Sequence, residues 1–120
     1  MGSIRSSKAK GYRWEKALVE YLQTHGFPLA RRTGSANRSL GDIEGVGPVV
    51  LEAKNWTERR LDEWLEQAQA SAVRKGVSVY LVIEKKHDAP VEEAYVHMTW
   101  EVFVLMLNMV FNGTTREDMT

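Results

Sequence analysis

Cysteine is absent from these 120 residues, which excludes a disulfide framework and a zinc–thiolate site. A buried apolar core must hold the fold instead, and a chain of this length can build one as a single domain. The composition fits a reducing compartment, and the expected location is the cytoplasm. Long apolar runs are missing too. The most apolar stretch, Val102–Phe111, contains Asn108 and falls short of the roughly 18 residues that span a bilayer. No membrane partner is expected. The N-terminal MGSIRSSKAKGYR is basic but has no apolar h-region, so no secretory signal is expected. The only histidines, His25, His87 and His97, have no metal-ligand spacing and read as structural or solvated groups.

Net charge is also lacking, because 16 basic side chains balance 16 acidic ones. Their distribution is uneven. Residues 1–41 carry eight basic and two acidic side chains, a net of +6, and the remainder carries the compensating −6. Such asymmetry marks a surface for nucleic acid or another polyanion, or else ordinary surface solvation. The basic candidates are Arg5, Lys8, Lys10, Arg13, Arg31, Arg32 and Arg38.

Residues 1–10 read as a flexible basic arm, 11–113 as one domain and 114–120 as a disordered tail. Trp14, Leu18, Tyr21 and Leu22 recur at helical spacing, which predicts a helix from Tyr12 to His25, closed by Gly26. Phe27–Thr33 reads as a strand, and Gly34–Ser39 as a polar loop able to offer backbone N–H groups, Ser35 and Arg38 to a phosphate. Asp42–Val46 and Val49–Asn55 read as a hairpin. A helix capped by Thr57 follows and runs to Lys75, with Leu61, Trp64, Leu65, Ala68 and Ala72 as its apolar stripe. Val77–Ile83 reads as a central strand, Glu84–Pro90 as a charged loop, Ala94–Met98 as a short extended segment, and Trp100–Asn112 as a last helix capped by Thr99. This order predicts an α/β fold with a small mixed central sheet flanked by helices. The crossover helix makes the strands around Lys54 and Val77 parallel neighbours.

The chemistry concentrates in Gly41–Trp56, GDIEGVGPVVLEAKNW. In a strand, Glu52 and Lys54 share one face and Ala53 takes the other. Two carboxylates and a lysine from neighbouring strands form a candidate site for a hard divalent cation. An exposed ion pair and a turn aspartate are the plain alternatives, as a first-turn helix acid is for Glu15. Trp56 and Trp64 serve either the core or base stacking.

Glu15 in a first helix, then Asp42 and Glu52-x-Lys54, resembles the PD-(D/E)xK nuclease superfamily. The layout of GYRWEKALVEYLQTHGF, RRTGSANRSLGDIEG, VVLEAKNW and WLEQAQ is similar, more narrowly, to archaeal Holliday-junction resolvases and the related resolvase-like nucleases of bacteriophages. The likeness spans Lys10 to Met106, with Gly41 where a proline is usual. The resemblance implies a restriction-endonuclease-like core and metal-dependent hydrolysis of branched DNA. It also implies a homodimer and, for a phage protein, the host cytoplasm. Mg²⁺, with Mn²⁺ as a substitute, would be held by Asp42, Glu52 and the Ala53 carbonyl, with Glu15 reaching in from its helix. Lys54 would orient the attacking water and stabilise developing charge. Gln69 matches a glutamine near the metal in phage relatives, or is an ordinary exposed glutamine. Ser35 matches a loop serine near the scissile phosphate. The alternatives are a nuclease acting on flaps, forks, ends or linear DNA, and a non-catalytic DNA-binding module.

Overall fold

The computed structural model describes residues 4–113, with side chains from residue 8 onward. The expected tail at 114–120 and the first three residues of the expected arm lie outside the described residues. The elements are α1 (Ile4–Thr24), β1 (Arg31–Arg32), β2 (Ile43–Glu44), β3 (Val49–Lys54), α2 (Leu61–Lys75), β4 (Val79–Glu84), β5 (Tyr95–His97) and α3 (Trp100–Phe111). A 3₁₀ segment, Ser35–Leu40, precedes β2, and another, Val91–Glu93, precedes β5. No helix among the described residues is long and apolar enough to cross a membrane.

The five strands form one mixed sheet in chain order. β3 and β4 run parallel, from Val49 opposite Val79 to Lys54 opposite Glu84, as a helical crossover requires. The other neighbours are antiparallel. Period-two alternation then divides the core. Leu51 and Ile83 face α1, where they join Ile43, Trp14, Leu18 and Val19. Val50, Tyr80 and Val82 face the opposite side and pack on Trp64, Ala68 and Ala72 of α2 and Val102 of α3. The result is a three-layer α/β domain. Val50, Val82 and Ile43 are fully buried, each contributing roughly 1.5–3 kcal/mol from its side chain.

Several boundaries differ from the sequence pattern. α1 begins at Ile4, so residues 4–10 are helix rather than a flexible arm. Lys8, Ala9 and Lys10 favour helix, but apolar periodicity starts only at Trp14, which is buried against the sheet. α2 starts at Leu61 with no side-chain cap, so Thr57 does not cap it. Residues 57–60 stay outside the helix, and Arg59 reaches Glu84 from there. The strand expected at Phe27–Thr33 shrinks to Arg31–Arg32, because Ala30 N–H turns back to the Phe27 carbonyl. Val77 N–H closes the end of α2 on Ala72, which moves β4 two residues onward and brings Glu84 into the strand. Thr99 does cap α3, its hydroxyl accepting from Val102 N–H at 3.2 Å.

Candidate active site

β3 carries Val50, Glu52 and Lys54 on the face that meets α2, so Glu52 occupies a core position and is only 3% exposed. Ser71 on α2 donates to Glu52 Oε1 at 3.2 Å. Arg74 donates in turn to Ser71 Oγ at 3.1 Å and to the Ser39 carbonyl at 3.0 Å, tying α2 to the segment before Asp42. Asp42 follows Gly41, whose φ of 112° favours glycine, and a Cβ there would lie 3.3 Å from Val50 Cγ1. Asp42 N–H pairs with the Leu51 carbonyl, and Asp42 Oδ2 accepts from Ala53 N–H at 2.8 Å. The side chain thus takes the place of a strand neighbour at the end of β2. A strand residue points its N–H and C=O to the same edge, so the Ala53 carbonyl faces the edge where Asp42 stands.

The Glu52 carboxyl lies within hydrogen-bonding reach of Asp42. Burial raises the Glu52 pKa to about 7, with the charge of Asp42 and their hydrogen bond adding to the effect; Lys54 and Ser71 oppose it. Lys54 Nζ donates to Gln67 Oε1 at 2.8 Å and lies 5.6 Å from the Trp56 ring. Asp42, Glu52, Lys54 and the Ala53 main chain are therefore together.

Glu15 stands beside this group but apart from it. It is 7% exposed, and its two oxygens accept from Arg32 at 2.9 Å and Arg38 at 2.7 Å. Arg38 also contacts Asp42 Oδ1 at 3.0 Å, so one guanidinium separates the two acids. Burial disfavours the charge on Arg38, but the bond to Glu15 and the charges of Asp42, Glu15 and Glu52 outweigh it and raise its pKa. No group of three or more His, Asp or Glu side chains gathers for a metal among the described residues.

Gln69 is exposed, 200° around α2 from Ser71, and does not face the site. Gln67 meets Lys54 instead. Gln67, Ser71 and Arg74 form an i, i+4, i+7 flank along α2. The sequence pattern passed over Ser71 and Arg74; the available signal was a small polar residue inside the apolar stripe.

The expected DNA-contacting residues divide into two sets. Arg31 is exposed and pairs with Glu44 at 3.3 Å. Arg32 and Arg38 are engaged with Glu15, and Arg32 also stacks over Tyr12 at 4.5 Å. Ser35 is exposed on the 3₁₀ segment, and Lys8 is exposed on α1. Arg5 lies on α1, its side chain outside those described. Lys10 and Arg13 have no ion-pair partner among the described residues. They line a cleft of about 460 Å³ together with Asn55, Lys85 and His87. A second cleft, of about 360 Å³, shares Lys85 and His87 and contains Trp56, Arg59, Lys86 and Tyr95. Together the clefts run across the ends of β3 and β4, beginning at the two residues that follow Lys54.

Glu84 lines the second cleft and is 5% exposed. Arg59 Nε donates to both its oxygens at 3.0 Å, and His97 Nε2 lies 2.9 Å away. Burial pushes the Glu84 pKa up, yet the bonds from Arg59 and His97 prevail and lower it. His97 therefore has a structural partner.

Compared with known proteins, the chain matches no protein-family model, no curated protein and no solved structure.

Proposed function

We propose that this chain is a metal-dependent, structure-selective DNA endonuclease of resolvase type, which hydrolyses phosphodiester bonds in branched DNA. In this reading the mixed sheet and its helices are a restriction-endonuclease-like core. The observation that carries the proposal is the Asp42–Glu52 carboxyl pair, with Lys54 on the Glu52 face and Asn55, the next residue of the chain, lining a basic cleft.

The residues fit a hard cation. Two adjacent carboxyls, one of which burial keeps protonated up to about pH 7, offer oxygen ligands that a bound cation would hold in the ionised form. Mg²⁺ needs only one or two carboxylates, because it retains waters. Asp42, Glu52 and the Ala53 carbonyl would hold it. Bound there, Mg²⁺ or Mn²⁺ would offset phosphate charge and promote hydrolysis. The chain's own groups do the rest. Ala53 N–H and Arg38 fix the Asp42 carboxylate, while Ser71 fixes Glu52. Gln67 holds the Lys54 ammonium where it can orient water and stabilise charge developing on the phosphorus oxygens. Lys10, Arg13 and Lys85 bind phosphates without reading bases. Glu15 acts through Arg32 and Arg38 as a positioning residue. The proposed setting is the cytoplasm, and the proposed assembly is a homodimer.

A second reading, a DNA-binding module without chemistry, draws support from Arg38, whose guanidinium already neutralises Asp42. A cleavage panel separates the two, using labelled four-way, three-way, flap and linear DNAs with Mg²⁺ or Mn²⁺. The nuclease reading expects preferential cutting of branched DNA, with losses of about a hundredfold or more in Asp42→Asn and Glu52→Gln. Binding of branched DNA without cutting in any divalent metal establishes the module. Preferential cutting of flaps or linear DNA moves the substrate while leaving the chemistry in place.

A further inference from the structure

The groove changes character along its length. The stretch against α1 is basic, whereas the stretch beyond Asn55 adds two half-exposed aromatic rings, Trp56 at 49% and Tyr95 at 42%. Both line the same cleft, with Arg59, Lys85 and Lys86 around them. Neither ring is a core residue. Trp56 meets the core only edge-on, 6.1 Å from the ring of Trp64 and inclined at 69°. Arg59 is drawn 5.8 Å from the Tyr95 ring while it holds Glu84. The polar groups beneath the rings are consumed among themselves, since Glu84 takes both Arg59 and His97. The cleft therefore offers flat ring surfaces with ammonium groups at their border, and its other polar side chains are Thr57 and His87.

We propose that the Trp56–Tyr95 cleft is a stacking subsite for an unpaired nucleobase of a DNA strand whose phosphates lie on Lys85 and displace Glu93, 3.3 Å away, from Lys86. The inference rests on the nuclease reading, because Trp56 stands two residues from Lys54 and its ring lies beside that ammonium. Aromatic rings accept any base, because every base has a π face, and cations supply the phosphate contacts. A cleft of about 360 Å³ is within the size range of sites that take one small ring system. Bases in intact duplex are already stacked on their neighbours and cannot enter. Branch points and single-stranded tails supply free bases, so this subsite selects DNA by structure with no sequence preference.

The test measures binding in chelator, where no cutting occurs. The full chain is titrated with a duplex bearing a short 3′ tail that contains 2-aminopurine, and with a fully paired duplex of equal length. Wild type is expected to quench the tail fluorophore and to prefer tailed DNA. Trp56→Ala and Tyr95→Ala are expected to lose the quenching and about tenfold in affinity for tailed DNA, with less than about a twofold change for duplex. Trp56→Phe, which keeps a ring, is expected to restore both, and this guards against a folding defect. Unchanged quenching in Trp56→Ala overturns the subsite, as does an equal loss on both DNAs. Stacking that depends on Trp56 in a protein that never cuts DNA leaves the subsite standing and removes only the nuclease reading.

Discussion

Glu52 faces Asp42 inside the core, so its ionisation costs free energy in the folded chain that it does not cost in the unfolded one. Its folded pKa of about 7 lies above the ordinary carboxylic-acid value, so between about pH 4.5 and 7 the native state binds a proton that the unfolded state has released. Stability without metal is therefore fullest below pH 4.5 as far as this group decides it, and is lost as pH rises towards 7. The loss is on the order of 3 kcal/mol. Urea denaturation in chelator at pH 5, 6, 7 and 8 is expected to show this decline in wild type and a flatter profile in Glu52→Gln, which still accepts from Ser71. Superimposable profiles would remove Glu52 as the titrating group. A cation bound by the ionised pair reverses the trend. Mg²⁺ added at pH 8 is expected to raise the urea midpoint, and Mg²⁺ added at pH 6 to release close to one proton, read by the pH change in weak buffer.

β3 was legible in the sequence because its pattern has period two. Once Val50 is placed in the core, Glu52 and Lys54 follow on the same face, and Asp42 then requires only a neighbouring strand. α2 was less legible for a reason specific to helices. Gln67 and Gln69 lie 100° to either side of Ala68, in the middle of the apolar stripe, so periodicity weights them equally. Only the side on which β3 passes the helix separates them, and that belongs to the sheet. The start of α1 was hidden in another way, since the residues before Trp14 carry no apolar period. Glu84 was read as a loop acid because β4, which starts two residues later and ends one residue later than expected, depends on how α2 ends. The flank formed by Gln67, Ser71 and Arg74 now carries its own prediction. Ser71→Ala removes the hydroxyl that orients Glu52 and is expected to cost roughly tenfold or more in Mg²⁺ affinity, by calorimetry, and Gln67→Ala a similar factor in cleavage rate. Gln69→Ala is expected to match wild type in both. If Gln69→Ala impairs cleavage while Gln67→Ala does not, the assignment of this flank is wrong.

Across the whole molecule, charge and apolar surface are segregated. Lys10, Arg13, Lys85 and Lys86 gather where β3 and β4 end, while α3 carries one charged side chain, Glu101. Val102, Leu105 and Met106 of α3 pack towards the core. Around the rest of the helix, Trp100 is 75% exposed, Val110 71% and Phe111 77%. Beside α3 lies β5, which pairs with β4 along one side and has no strand partner along the other among the described residues; Val96 on it is 52% exposed. An open strand edge is able to pair antiparallel with its own copy about a two-fold axis, and the proposed homodimer would use this edge together with the exposed face of α3. In the proposed homodimer the occupant is a second copy of this chain, and a stable interface requires it to bury roughly 1,200–2,000 Å². Under the proposed resolvase function, two sites related by such an axis would suit two symmetric cuts in a four-way junction. Sedimentation equilibrium at micromolar concentration is expected to give twice the chain mass of 13.7 kDa. Placing glutamate at both Val110 and Phe111 is expected to weaken association by at least about thirtyfold, the loss typical of interface residues that dominate binding. The resulting monomer should nick junctions where the dimer makes paired cuts. A wild-type chain that remains monomeric at 100 times that concentration would exclude the dimer, and paired cutting would then need two independent binding events.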